Sequence, residues 1–148
     1  MEIKIYTDGA CVGNPGPGGW AAIILSENGK KEIFGGEKIT TNNRMELTSA
    51  IKALEYCIEK EDKQPSLKQI EIYTDSKYVK EGITTWIKAW ERNNWKTADK
   101  KNVKNVDLWK KLKKLTKSYQ IKWNWVKGHS KDPMNDLADE LAKKATPI

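Results

Sequence analysis

The sequence predicts an α/β domain, a mixed sheet whose short strands of period two are interleaved with helices of period 3.6. Three observations carry that prediction. Ile3-Lys4-Ile5-Tyr6-Thr7-Asp8 and Ile70-Glu71-Ile72-Tyr73-Thr74-Asp75 follow one plan, a β-branched and aromatic strand that ends on Thr-Asp. Between them Leu47, Ala50, Ile51, Leu54 and Ile58 recur at helical spacing. A helix joining two strands makes them parallel neighbours, so both aspartates reach the same end of the sheet.

The elements follow in order. The first strand runs into Cys11-Val12-Gly13-Asn14-Pro15-Gly16-Pro17-Gly18-Gly19, which reads as a loop. It lacks the Lys-Ser/Thr ending of a P-loop and no helix pattern follows it, so it is not a nucleotide cradle. Its glycines would let backbone amides approach a ligand, with Asn14 placed to hydrogen-bond one; a plain turn is the alternative. Trp20 to Leu25 reads as a buried strand, Asn28-Gly29 as a tight hairpin turn, and Lys31 to Gly36 as the returning strand. These three strands form an antiparallel meander.

Thr40-Thr41-Asn42-Asn43-Arg44-Met45-Glu46 opens the first helix, where Asn43 and Glu46 fit a capping box. The competing reading sends the Glu46 carboxylate towards the strand ends that carry Asp8 and Asp75. Residues 59–68 read as a polar surface loop, and a short helix spans Ser76 to about Gly82. Leu108, Leu112 and Leu115 mark the inner face of a helix from Asn105 to about Ser118. Tyr119 to Val126 alternates as a strand with Trp123 and Trp125 on one side. Asp132-Pro133 starts the last helix as cap and first residue. Leu137, Leu141 and Ala145 mark its packing face, Asp136 and Asp139 lie on another side, and His129 sits in the loop before it.

A chain of 148 residues, 38% hydrophobic and 32% charged, has the material for one core. No apolar run reaches the length of a membrane span and the N-terminus lacks the plan of a signal peptide, so a cytoplasmic location is expected. Cys11 and Cys57 lack metal-ligand spacing and read as free thiols. The net charge of +7 is concentrated: residues 86–122 hold twelve Lys/Arg against Glu91, Asp99 and Asp107. Such a segment predicts a localised polyanion-binding surface. Trp86, Trp90 and Trp109 lie among those cations. They read as a projecting surface that packs against sugars and phosphates, with ordinary core packing as the alternative. Paired strand-end carboxylates repel unless a cation lies between them, which points to a metal site.

With these residues assembled, the whole chain resembles a bacterial ribonuclease H of type 1. The likeness rests on Tyr6-Thr7-Asp8-Gly9, Gly13-Asn14-Pro15-Gly16-Pro17-Gly18-Gly19, Thr41-Asn42-Asn43-Arg44-Met45-Glu46, Thr74-Asp75-Ser76, Gly128-His129, Asn135 and Asp139-Glu140-Leu141-Ala142. The resemblance implies a ribonuclease H-like fold, a five-stranded mixed sheet of three antiparallel and two parallel strands flanked by helices. It implies a single catalytic domain over 1–148 with a basic protrusion at about 86–104. It also implies hydrolysis of the RNA strand of RNA–DNA hybrids, leaving 3′-hydroxyl and 5′-phosphate ends.

Asp8, Glu46, Asp75 and Asp139 fall on the metal-binding acids of that family, with His129 as proton shuttle or aid to product release. Two Mg²⁺ ions, or Mn²⁺ as substitute, are the implied cofactors. Asp8 would bridge them, Glu46 and Asp75 would hold the leaving-group side, and Asp139 the nucleophile side. Cys11, Asn14, Asn43 and Lys77 would line the minor groove and contact 2′-hydroxyls, although the family often has glutamine at the position of Lys77. Thr41, Asn105 and the cations Lys96, Lys100 and Lys101 would hold the DNA strand's phosphates, with Trp86 and Trp90 in the projecting substrate-binding surface. The expected partner is the hybrid, with no membrane, no obligate protein partner and a monomeric chain. A related nuclease acting on DNA alone, of transposase or resolvase type, and a non-catalytic hybrid-binding module are the rival readings. A basic amphipathic adaptor leaves the acids at the strand ends unexplained.

Overall fold

The computed structural model describes residues 2–61, 69–117, 119–127 and 132–147. Within these, β1 (Glu2–Cys11), β2 (Gly16–Ser26), β3 (Gly29–Thr40), β4 (Gln69–Thr74) and β5 (Gln120–Trp125) form one sheet in the order β3-β2-β1-β4-β5. β2 pairs antiparallel with both β1 and β3, while β4 runs parallel to β1 and to β5. The mixed sheet expected from the sequence is therefore present. The helices are α1 (Asn42–Tyr56), α2 (Lys77–Glu81), α3 (Ile87–Arg92), α4 (Val106–Thr116) and α5 (Pro133–Ala145).

Strand alternation decides which side chains meet which helix. Ile3, Ile5, Ile70 and Ile72 project from one face onto Leu47, Ile51 and Leu54 of α1 and Trp109 and Leu112 of α4. Each such buried isoleucine contributes about 1.5–3 kcal/mol relative to exposure. On the opposite face Tyr6 and Ile23 meet Ala138, with Met134, Leu137 and Leu141 packed around them. The Tyr6 and Tyr73 rings stack on that face, their centroids 4.6 Å apart. Neither Cys11 nor Cys57 is in a disulfide.

Several elements differ from the sequence reading. Strand pairing begins at Gly16, inside the segment assigned to a loop, with a register shift between Gly16 and Gly18. A Cβ at Gly19 would lie 2.1 Å from the Ala142 carbonyl oxygen, so this bare backbone serves to seat α5 on β2. The β2–β3 turn is centred on Glu27 and Asn28, one position earlier than expected; Gly29, at φ 106°, opens β3 just after it. The buried stripe of α5 is Asn135, Ala138 and Ala142, with Leu137 and Leu141 flanking it, because small side chains allow the close approach to β2. The chain also does not stop after α2. A π-helical turn, Gly82–Trp86, carries it directly into α3, and a similar turn, Cys57–Glu61, extends α1.

The capping box is not formed. Thr41 is the N-cap of α1, its hydroxyl accepting the Arg44 N–H at 3.2 Å, and Asn43 lies inside the helix. Glu46 is thereby left without a capping role. At the other end of the chain Asp132 caps α5 by accepting the Met134 N–H, with Pro133 at the first helical position as expected. Among the described residues no helix is long and apolar enough to cross a membrane.

Candidate active site

Parallel pairing sets the site. β1 and β4 are in register through Thr7 and Thr74, so the next residue of each, Asp8 and Asp75, emerges beside the other at the strand ends. The first turns of α1 then pass over β1 and bring Glu46 to them. A Cβ at Gly9 would lie 2.5 Å from the Glu46 backbone nitrogen and 2.9 Å from its Oε1, so only glycine lets α1 come this close. One carboxylate oxygen from each of Asp8, Glu46 and Asp75 lies within 4.8 Å of the others. Asp139, delivered by α5, lines the same cleft of about 370 Å³, together with Asn42, Asn43, Ser76, Lys77 and Tyr78. Its carboxylate pairs with Lys143 one turn along the helix, at 2.9 Å.

This cluster is electrostatically strained. Burial, then the Asp75 charge, pushes the Asp8 carboxyl up to about 8. Burial first and Asp8 second push Glu46 well above the ordinary carboxylate range. Glu46 is 3% and Asp8 4% exposed, and Glu46 Oε1 is buried without a hydrogen-bond partner. An unsatisfied buried acceptor among like charges is costly unless a cation fills the gap. Hard, converging carboxylate oxygens are the donor set that divalent cations such as Mg²⁺ or Mn²⁺ prefer, so the residues present fit such an ion.

The other sequence candidates fall into groups. Asn43 and Lys77 line the cleft. The Lys77 ammonium rests 4.8 Å above the ring of Trp125, whose indole N–H donates to the Asp75 carbonyl at 3.1 Å. The Asn14 carboxamide oxygen accepts the Asn42 N–H at 3.0 Å, tying the β1–β2 turn to the start of α1. The Cys11 thiol donates to the carbonyls of Gly16 and Thr40. Asn105, in the left-handed conformation at φ 60°, precedes α4. Trp109, read among the surface tryptophans, is completely buried, and Trp90 packs against its ring at 5.4 Å. Trp86, 37% exposed, closes the row of rings on its outer side. Lys100 and Lys101 are exposed, and exposed Lys96 donates to the Asn102 carboxamide. His129 lies outside the described residues.

Sequence reasoning did not single out Gly9, Tyr78 or Lys143 as parts of the site. Only Lys143 left a usable signal, a cation four residues after an acid on one helix.

The family model described as RNase H matches residues 1–146. The chain belongs to the RNase H family. The Ribonuclease H of Maricaulis maris is 56% identical over 142 residues, 96% of this chain and 91% of that relative. Among solved structures, LC9-RNase H1, described as a type 1 RNase H with the type 2 active-site motif, superposes with a TM-score of 0.85 at 29% identity. That likeness covers 98% of this chain and 72% of the other. LC11-RNase H1, solved in complex with RNA/DNA hybrid, aligns at 25% identity and a TM-score of 0.73, covering 97% and 96%. Membership of the RNase H family and the clustered acids together mark this as a divalent-cation site.

Proposed function

We propose that the chain is an endoribonuclease that hydrolyses the RNA strand of RNA–DNA hybrids at the Asp8–Glu46–Asp75–Asp139 cluster, leaving 3′-hydroxyl and 5′-phosphate ends. The observation that carries the reading is the convergence of three carboxylate oxygens within 4.8 Å, in a chain of the RNase H family. Mg²⁺ is the ion proposed, two per site during turnover with Mn²⁺ as substitute, held by Asp8, Glu46, Asp75 and Asp139. Bound there, divalent cations supply a nucleophile at neutral pH and stabilise charge on the leaving oxygen.

The residues around them do the rest. Asp8, which interacts with Asp75, Glu46 and Asp139, would serve both ions, Glu46 and Asp75 would hold the leaving-group side, and Asp139 the nucleophile side. His129 is proposed to move protons or assist product release, as an imidazole near neutral pKa is suited to do. Asn43 and Lys77, on the walls of the cleft, are proposed to meet the sugar edge of a bound strand, together with Cys11 and with Asn14, which accepts the Asn42 N–H. There a 2′-hydroxyl distinguishes RNA from DNA. Thr41, Asn105, Lys96, Lys100 and Lys101 are proposed to hold the DNA strand's phosphates, and Trp86 and Trp90 to pack against sugars and phosphates of the substrate. One catalytic domain with a basic protrusion at about 86–104, acting as a monomer in the cytoplasm, completes the proposal.

The test is strand-specific cleavage with Mg²⁺ of end-labelled hybrid, duplex DNA and duplex RNA. Wild-type protein is expected to cut only the RNA strand of the hybrid, and Asp8→Asn to lose at least about a thousandfold in rate. Cleavage of duplex DNA instead would replace the reading by a DNA nuclease of the same fold, and hybrid binding without cutting by a non-catalytic module.

A further inference from the structure

Asp107 is out of place by charge. It is one of three acids among twelve cations in residues 86–122, on the face expected to meet a polyanion. Its side chain is 62% exposed, so no buried cation demands it. Its position is explained by Arg44. The guanidinium grips Asp107 with two parallel hydrogen bonds, Nη1 to Oδ1 at 3.1 Å and Nη2 to Oδ2 at 2.9 Å. Arg44 Nη1 also donates to the Asn105 carboxamide oxygen at 3.2 Å. The Asn105 amide in turn donates to the Tyr78 hydroxyl at 3.0 Å, which also takes the Trp109 indole N–H at 3.1 Å. This chain of bonds runs from the first turn of α1, beside Asn43 and Glu46, to α4 and to Tyr78 of α2.

We infer that Asp107 is a positioning residue: by fixing Arg44 it braces α1 against α4 and α2, and so holds Asn43 and the left-handed Asn105 at the spacing a bound hybrid requires. A planar fork on a carboxylate fixes direction as well as distance, which a lone lysine pair would not. The side-chain amide of Asn105 is oriented at both ends by this network, its oxygen by Arg44 and one N–H by Tyr78. As an exposed ion pair, Arg44–Asp107 adds little to global stability, so its geometry is the part with consequences. Glu46 is held separately, by the close passage of α1 over Gly9, so the brace acts on substrate binding rather than on the metal cluster.

The inference rests on the hybrid-nuclease reading, and electrostatics gives it a test of opposite sign. Removing an acid from a basic face should by itself tighten a polyanion. The brace predicts the reverse. Hybrid affinity is to be measured by fluorescence anisotropy without divalent ions, alongside KM and kcat, for wild type, Asp107→Asn, Asp107→Glu and Arg44→Lys. Asp107→Asn and Arg44→Lys are expected to raise Kd and KM about five- to tenfold with kcat changed less than about twofold. Asp107→Glu should recover most of the loss, and the melting temperatures of all four should agree within a few degrees. Equal or tighter binding by Asp107→Asn, or loss of kcat with KM unchanged, overturns the brace. Wild-type protein that leaves hybrid uncut removes the functional reading, and the brace with it; wild-type cleavage with tighter binding by Asp107→Asn removes the brace alone.

Discussion

Glu46 and Asp8 are held where carboxylates do not belong, and the pH dependence of stability should show it. Both have folded-state pKa values raised above the unfolded range, Asp8 to about 8 by burial and the Asp75 charge. Between the unfolded value of about 4 and the folded value, the native state binds the proton more strongly than the unfolded chain. Stability of the metal-free protein should therefore fall as pH rises from about 4 to about 8, by up to about 1.4 kcal/mol per pH unit per group. Urea unfolding in EDTA at several pH values measures this, and Asp8→Asn should flatten the slope. Gly9 matters for a different reason. A methyl group there meets the Glu46 backbone at 2.5 Å, so Gly9→Ala must shift the start of α1. A loss of about 2–3 kcal/mol in unfolding free energy, with turnover down at least about a hundredfold, is expected.

At the scale of elements, α5 is the part whose seating decides a ligand. Gly19→Val places side-chain atoms where the Ala142 carbonyl already lies, 2.1 Å from the first added carbon. The helix must lift off β2, with about 2–4 kcal/mol lost and Asp139 displaced from the cleft, as denaturant unfolding and divalent-ion titration would show. Most elements were legible in the sequence because their apolar residues carry the period of a strand or a helix. Ile70-Glu71-Ile72 could be nothing but a half-buried strand, and Asp132-Pro133 marked its helix start correctly. The glycines were not legible in the same way. Local chemistry says that Gly19 permits a turn or a close approach, and only the path of α5, more than a hundred residues later, selects the second. The cap of α1 failed for a related reason. Thr40, Thr41, Asn42 and Asn43 are all good capping types, and the hydrogen bond from Arg44 chooses Thr41. Trp109 was misplaced because an indole among lysines looks the same in sequence whether it faces the core or solvent.

For the whole molecule, sheet order converts distance along the chain into proximity. The two Thr-Asp strands announced a shared edge, and the likeness to ribonuclease H named Glu46 and Asp139 as their companions. The Arg44–Asp107 contact joins α1 and α4 across 63 positions of sequence, and nothing local signals it. The basic segment should give hybrid binding a steep ionic-strength dependence: log K against log salt falling with a slope of about −4 to −6 if roughly four to seven phosphates are neutralised. Anisotropy titrations at four salt concentrations measure it, and replacing Lys96, Lys100 and Lys101 by glutamine should reduce the slope by about 2–3. The central claim, that buried carboxylates strained by mutual repulsion form a seat for divalent cations, is tested most directly by calorimetric titration of Mg²⁺. The titration is run at pH 7 in two buffers of different ionisation enthalpy. Wild-type protein should bind Mg²⁺ with net release of protons, and Asp8→Asn and Glu46→Gln should lose both the affinity and the release. Undiminished Mg²⁺ binding by those variants, or binding by wild type with no proton released, would contradict the account.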